Sequence, residues 1–191
     1  MKPSFGADKD ADHIKTTIQL ALAVERGTLI DFETTGIPGR TPTHEVVTLG
    51  YIRGNTLEVI QRKSVDPKPF YEELRALLTS LSKPFYSYSS GFEREIMRTE
   101  LGLDVGEGDL IDIMQPWKEK ADDIGIKWPR LDELISEPND YYLADKVSGK
   151  DVPRLWNGYL RTGAELYLTP IMEHCLSDIL RETMLMVWYR P

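Results

Sequence analysis

The chain has 191 residues, of which 41% are hydrophobic and 28% charged, and its net charge is −8. This length predicts one domain with a buried core, and the sequence lacks the run of about 18 apolar residues that a transmembrane helix needs. The negative charge argues against a strongly basic protein that binds long duplexes tightly. The single cysteine, Cys175, excludes an intramolecular disulfide, favours a reducing, cytoplasmic location and is expected to fill core space.

Residues 1–26 are predicted to form an N-terminal extension that precedes the main domain, residues 27–191. Polar and apolar side chains alternate loosely over residues 12–25, and we expect a short amphipathic helix there. The extension lacks the long apolar core of a signal peptide.

Two acids lie one residue apart in the first predicted strand, residues 28–33. Successive side chains of a strand point to opposite faces, so Asp31 and Glu33 share one face. Two carboxylates held side by side repel each other unless a cation lies between them, and hard cations such as Mg²⁺ prefer carboxylate oxygens. The strand therefore predicts a divalent metal site.

The following elements indicate an α/β fold. Residues 46–52 and 56–61 are predicted as strands of a hairpin, because residues 53–55, Arg-Gly-Asn, have turn chemistry. Two short strands are predicted at residues 84–88 and 109–113. Helical spacing predicts helices over residues 70–81, 91–101, 114–121, 130–136, 151–161 and 164–189.

Residues 30–36, Ile-Asp-Phe-Glu-Thr-Thr-Gly, resemble the first motif of the DEDD superfamily of 3′–5′ exonucleases. The resemblance implies a ribonuclease H-like fold, in which three antiparallel strands and then parallel strands form a mixed sheet flanked by helices. It also implies catalysis with two metal ions, Mg²⁺ or Mn²⁺. Residues 148–156 look like a segment of a poorly characterised sub-branch whose substrates are uncertain.

The second motif of that family, Asn-x-x-Phe-Asp at the start of a helix, has its counterpart at residues 89–93. Ser89 replaces the asparagine, Phe92 matches the aromatic residue and Glu93 replaces the aspartate. The resemblance implies that Glu93 binds metal with a side chain one methylene longer. The alternative is a first-turn acid favoured by the helix dipole. Glu95 is a spare candidate on a different helix face.

The third motif has its counterpart in the last predicted helix, which Pro170 is expected to kink. His174 and Asp178 are four residues apart and share a helix face. The family places a tyrosine four residues, or a histidine five residues, before the last aspartate, and this chain has a histidine at the tyrosine spacing. The resemblance implies that Asp178 binds metal and that His174 activates the attacking water. Alternatively, His174 is a surface histidine paired with Asp178.

The resemblance implies a different role in metal binding for each of these acids. Asp31 bridges two ions, Glu33 and Asp178 complete the first site, and Glu93 holds the second ion directly or through water. Asp112 is interpreted as a structural or supporting residue. Substrate contacts are expected from Thr34, Thr35, Lys150, Arg154 and Arg161. A solvated-surface role is an equal alternative for the three basic residues.

The expected activity is metal-dependent 3′–5′ hydrolysis of single-stranded DNA or RNA. Two alternatives stay open. The replacements Ser89 and Glu93 and the spacing of His174 also fit a non-catalytic module of the same fold that binds nucleic acid or acts as a scaffold. The same site also suits endonucleolytic cleavage of structured DNA.

Overall fold

The computed structural model describes residues 12–135 and 147–187. The sheet consists of β1 (His13–Thr34), β2 (Val46–Arg62), β3 (Phe85–Ser87) and β4 (Leu110–Asp112). Its order is β2-β1-β3-β4. β1 and β2 pair antiparallel, whereas β3 pairs parallel with both β1 and β4. This mixed sheet confirms the predicted fold class.

β2 folds back on itself at the predicted turn. The Oγ1 of Thr48 donates to Oε1 of Gln61 at 2.6 Å, although an extended strand would separate residues thirteen positions apart by roughly 43 Å. Gly54, at the turn, has a φ of +60°. The predicted hairpin is therefore confirmed. β1 pairs with both arms of it: residues 28–34 with the first and residues 13–19 with the second.

The helix predicted over residues 12–25 is wrong, because this segment belongs to β1. Burial alternates along this segment: Ile14 and Thr16 are buried, whereas Lys15 and Thr17 are exposed. Alternation with a period of two is typical of a strand with one buried face, and β-branched residues favour it. Part of the predicted N-terminal extension therefore pairs within the sheet. Residues 1–11 lie outside the described part of the chain.

Most of the helices lie where the sequence predicted them. They are α1 (Lys68–Ser80), α2 (Gly91–Thr99), α3 (Gln115–Asp123), α4 (Leu131–Leu134), α5 (Val152–Thr162) and α6 (Thr169–Val187). Pro138, Asn139 and Gly149 predict an irregular loop over residues 137–150, most of which falls outside the described residues, which resume at residue 147. Among the described helices, none is long and apolar enough to cross a membrane.

The last helix begins later than predicted, and Pro170 does not kink it. α6 starts at Thr169, so Pro170 occupies the first turn, where the N–H that proline lacks needs no helical partner. Glu165–Tyr167 form a separate 3-10 turn. Leu168, between the turn and the helix, is fully buried. Its burial explains why the apolar pattern continues upstream of the helix.

Side chains of β1 contribute to a core on each face of the sheet. Ile30 and Phe32 pack in the core that also contains buried side chains of α1 and α2. Leu29 packs in the other core, with α5 and α6. Because strand side chains alternate, Asp31 and Glu33 point to the α6 side.

Gly50 of β2 permits close contact between the sheet and α6. A Cβ at this position would lie 2.7 Å from Sγ of Cys175 and 3.3 Å from Cδ1 of Ile179. Cys175 is fully buried, as expected. The close approach brings α6, which carries His174 and Asp178, against the end of β1 where the first acidic motif lies.

Candidate active site

An open pocket lies at the end of β1, between the sheet and α6. It brings together the five residues predicted to be catalytic: Asp31, Glu33, Glu93, His174 and Asp178. Three elements that are distant in the chain supply them, β1, α2 and α6. The convergence results from the alternation of β1 and the close packing of α6.

One cluster in this pocket has the spacing of a metal site. Ligand atoms of Glu33, His174 and Asp178 all lie within 4.8 Å of one another. His174 Nε2 is 3.6 Å from Oε1 of Glu33 and 3.7 Å from Oδ2 of Asp178. Atoms this far apart can surround one cation at ordinary bond lengths of about 2.0–2.6 Å. These three residues can therefore hold a metal ion.

Asp31 and Glu33 form a second, overlapping cluster with Cys175. Burial raises the pKa of the Cys175 thiol well above its ordinary value, and the negative charge of Asp31 raises it further. The thiol therefore stays protonated, and a protonated thiol is a poor metal ligand. Cys175 is fully buried, and the two carboxylates are the groups of this cluster that could bind a metal ion.

Burial and mutual repulsion disfavour the charged forms of the inner carboxylates. Burial, and next the charge of Asp178, raise the pKa of Asp31 to about 7. Burial and then Asp31 raise the pKa of Glu93 well above its ordinary value. The buried atoms Oδ2 of Asp31 and Oε2 of Glu93 have no hydrogen-bond partner within the described residues. A divalent cation would supply both the missing partner and the missing positive charge, so the donor set fits the expected metal.

Glu93 and Glu95 differ in their surroundings. Glu93, in the first turn of α2, is only 3% exposed and lines the pocket. Glu95 instead accepts a hydrogen bond from Arg98 at 2.7 Å on the outer side of the same helix. Of the two acids that the sequence offered, Glu93 is the one beside Asp31.

Asp112 supports the turn that leads into α2. Its Oδ1 accepts hydrogen bonds from the backbone N–H groups of Ser89, at 3.1 Å, and Met114, at 2.8 Å. Its Oδ2 pairs with Nζ of Lys118 at 2.7 Å. Ser89 has a φ of +64°, a left-handed conformation that serine rarely adopts. These contacts give Asp112 a structural role.

Sequence reasoning missed two residues of α6 that line the pocket, Arg181 and Glu182. NH1 of Arg181 donates to Oδ1 of Asp178 at 2.9 Å. Glu182 is 2% exposed, and burial raises its pKa well above the ordinary value, with Asp31 as the next cause. Spacing was an available signal for Glu182, since it follows Asp178 by one helical turn and so shares its face.

Both threonines predicted to contact substrate line the pocket. Their hydroxyls also make bonds within the loop: Oγ1 of Thr34 donates to the carbonyl of Gly36 at 2.6 Å, and Oγ1 of Thr35 accepts from the N–H of Glu45 at 2.9 Å. The loop thus presents its backbone to the pocket in a fixed conformation.

The basic residues that were predicted to contact substrate differ in whether they line the pocket. Lys150 lines the pocket, together with Lys127 and Arg130, which were not predicted. Arg154 is not among the described residues that line it and pairs with Asp151 at 3.4 Å. Arg161, likewise outside the lining, donates to a carbonyl of its own helix.

A mixed sheet that carries acids at the end of its first strand, faced by a helix with further acids, defines the ribonuclease H-like class of α/β proteins. A family model described as the RNase_H superfamily matches residues 28–190, and the chain belongs to this superfamily. Membership indicates a nuclease-type hydrolase that acts on nucleic acid, generally with divalent metal ions. Neither a curated protein nor a solved structure matches the chain.

Proposed function

We propose that the protein is a 3′–5′ exonuclease that hydrolyses single-stranded DNA or RNA with two Mg²⁺ or Mn²⁺ ions. One observation carries the proposal: acids of β1, α2 and α6 line a single pocket. The likeness of residues 30–36 to the first DEDD motif supports an exonuclease rather than another nuclease of the superfamily.

In this proposal Asp31 would hold both ions, and Glu33 and Asp178 would complete the first site. Glu93 would hold the second ion directly or through water. When bound, the ions lower the pKa of the attacking water and neutralise charge on the leaving oxygen. Because β1, α2 and α6 carry these carboxylates, their positions are fixed before substrate arrives.

His174 is the proposed general base. Its Nε2 lies 3.6 Å from Glu33 and 3.7 Å from Asp178, so the imidazole stands among the proposed ligands of the first ion. In this proposal Nε2 is not a metal ligand, and from its position it can accept the proton of the attacking water, a contribution of typically about 10²–10⁴ to the rate. Burial on α6 limits the rotation of the ring and so keeps this nitrogen toward the site.

The charge distribution supports a single strand as the substrate. With a net charge of −8, the whole surface repels nucleic acid, and attraction is local. Lys127, Arg130 and Lys150 stand at the rim of the pocket. Such a small set suits a few phosphates near a strand end better than a long duplex.

The test uses 5′-labelled single-stranded DNA and RNA with Mg²⁺ or Mn²⁺. Wild type should shorten the labelled strand stepwise from its 3′ end. The substitutions Asp31→Asn and Glu93→Gln should each reduce hydrolysis to background. Glu95→Gln is the matched control, because it removes the same charge from the outer side of α2 and should keep activity. Equal, metal-independent cleavage by wild type and Asp31→Asn would refute the proposal. A circular single strand, which has no ends, would be cut only by an endonuclease.

A second candidate is a non-catalytic nucleic-acid-binding module of the same fold. The contact between Arg181 and Asp178 favours it, because a guanidinium 2.9 Å from Oδ1 of a proposed metal ligand competes with the cation. Calorimetric titration with Mn²⁺ separates the candidates. A binding module would take up Mn²⁺ only weakly and would cleave none of the labelled strands.

A further inference from the structure

We infer that Glu182 belongs to the metal site, where it holds the second of the two cations together with Asp31 and Glu93, directly or through a bound water. The inference rests on the proposed two-metal function. It adds a fifth acid to the four that the sequence motifs indicate.

The position of Glu182 on α6 directs it into the pocket. It follows Asp178 by four residues, one helical turn, so it projects from the helix face that also carries His174. Its side chain is 2% exposed and lines the same pocket as Asp31 and Glu93. The negative charges of Asp31, Glu93 and Asp178 all act on it. A carboxylate this deeply buried is costly unless a cation compensates its charge.

Within the described residues, one carboxylate oxygen of Glu182 accepts a hydrogen bond and the other does not. Oε1 accepts a hydrogen bond from the backbone N–H of Tyr88 at 3.3 Å, which orients the carboxylate. Oε2 is buried without a hydrogen-bond partner within the described residues, as are Oδ2 of Asp31 and Oε2 of Glu93. Folded proteins rarely bury such oxygens unpaired. Three of them around one pocket indicate a shared partner, and a hard cation is the partner that takes several carboxylate oxygens at once.

The charge balance of the inner pocket agrees with this assignment. Six carboxylates line the pocket. One of them, Asp132, pairs with Arg130, and the other five are Asp31, Glu33, Glu93, Asp178 and Glu182. Arg181, bonded to Asp178, offsets one negative charge. Two divalent ions would offset the remaining four. Without Glu182, two such ions would leave one excess positive charge among these residues before substrate binds.

Mn²⁺ binding tests the inference without relying on activity. The 191-residue chain is titrated with Mn²⁺ by calorimetry, and the electron paramagnetic resonance spectrum is recorded, because ions about 3.5–4 Å apart couple magnetically. Wild type should bind two ions and give a coupled spectrum. Glu182→Gln keeps an acceptor for Tyr88 but loses the charge. It should bind the first ion with unchanged affinity and the second at least tenfold more weakly, with an uncoupled spectrum.

Two further variants make the result specific. Glu72→Gln removes the same charge from the exposed side of α1, which packs on the opposite face of the sheet, and should bind Mn²⁺ as wild type does. Glu182→Asp keeps the charge on a shorter side chain, so its affinity for the second ion should lie between those of wild type and Glu182→Gln. It also provides the test if Glu182→Gln does not fold.

The inference is overturned if Glu182→Gln binds both ions as wild type does, if both affinities fall equally, or if wild type binds a single ion. The proposed function fails separately, through absent cleavage by wild type or activity that survives Asp31→Asn. Loss of the second ion in Glu182→Gln, with the first retained, supports the inference whichever strand the enzyme cleaves.

Discussion

Ser89 holds a left-handed backbone conformation, with φ +64°, in the turn before α2. Asparagine tolerates this region better than serine, and it is the residue of the family motif at this position. We expect Ser89→Asn to raise the free energy of unfolding by about 0.5–1 kcal/mol, measured by urea denaturation. Ser90→Asn, at φ −48°, is the control and should bring no such gain. Equal gains at both positions would show that strain at Ser89 is not the cause.

Asp31 makes the stability of the metal-free protein depend on pH. Its pKa is 3.8 in an ordinary environment and about 7 in the folded state, chiefly because of burial. Between these values the folded state binds more protons than the unfolded state, so stability falls as the pH rises from about 4 to about 7 and then levels off. Thermal unfolding in a chelator should therefore give a lower Tm at pH 8 than at pH 5. Asp31→Asn cannot ionise and should show a smaller difference, and identical pH profiles for the two proteins would contradict this account.

The residues of the candidate site differ in how well the sequence alone predicted them. Asp31 and Glu33 were predictable because strand alternation is a local rule. Glu93, His174 and Asp178 needed the family motifs, since nothing local shows that their helices meet β1. Glu182 belongs to no motif, and its role depends on burial against α2 and β1, which one sequence does not display.

At the scale of elements, the distance between β2 and α6 controls the site. A Cβ at Gly50 would lie 2.7 Å from Sγ of Cys175, so in Gly50→Ala the buried Cys175 side chain, or α6 that carries it, must shift. We expect the substitution to cost about 1–3 kcal/mol of stability and to weaken Mn²⁺ binding, because α6 carries His174 and Asp178. Gly91→Ala is the matched control, since a Cβ there meets nothing within 4 Å. If Gly50→Ala is less stable but binds Mn²⁺ with unchanged affinity, metal binding does not depend on the close packing of α6 against β2.

Elements defined by neighbouring residues were predicted well, and those defined by distant partners were not. The turn at residues 53–55 gave the hairpin directly. Residues 12–25 were misread because their partner, the second arm of β2, lies more than thirty residues later in the chain. Pro170 suits both a kink and a first turn. The start of α6 at Thr169 distinguishes the two, and the proline alone does not fix where the helix begins.

For the whole molecule, the number of basic residues that can contact phosphates sets how binding responds to salt. Among the described residues, the exposed basic side chains that line the pocket are those of Lys127, Arg130 and Lys150, and Arg130 already pairs with Asp132. Single strands release about 0.7 counterion per phosphate contact, so the logarithm of the binding constant should fall with a slope of about −2 or shallower against log salt. Fluorescence anisotropy of a labelled single strand in the presence of Ca²⁺ measures it. A slope near −6 would reveal a larger basic surface than the described residues offer.

Residues 13–19 pair with the outer arm of β2, yet they lie before the region that the family model covers. A chain shortened to begin at Gly27 would bare a row of unpaired backbone N–H and C=O groups along that edge, the usual starting point of strand-to-strand aggregation. In size-exclusion chromatography, a larger fraction of the shortened chain than of the 191-residue chain should therefore elute as oligomers. Equal elution profiles would contradict the prediction. Protection from self-association would thus come from a segment that the catalytic chemistry never uses.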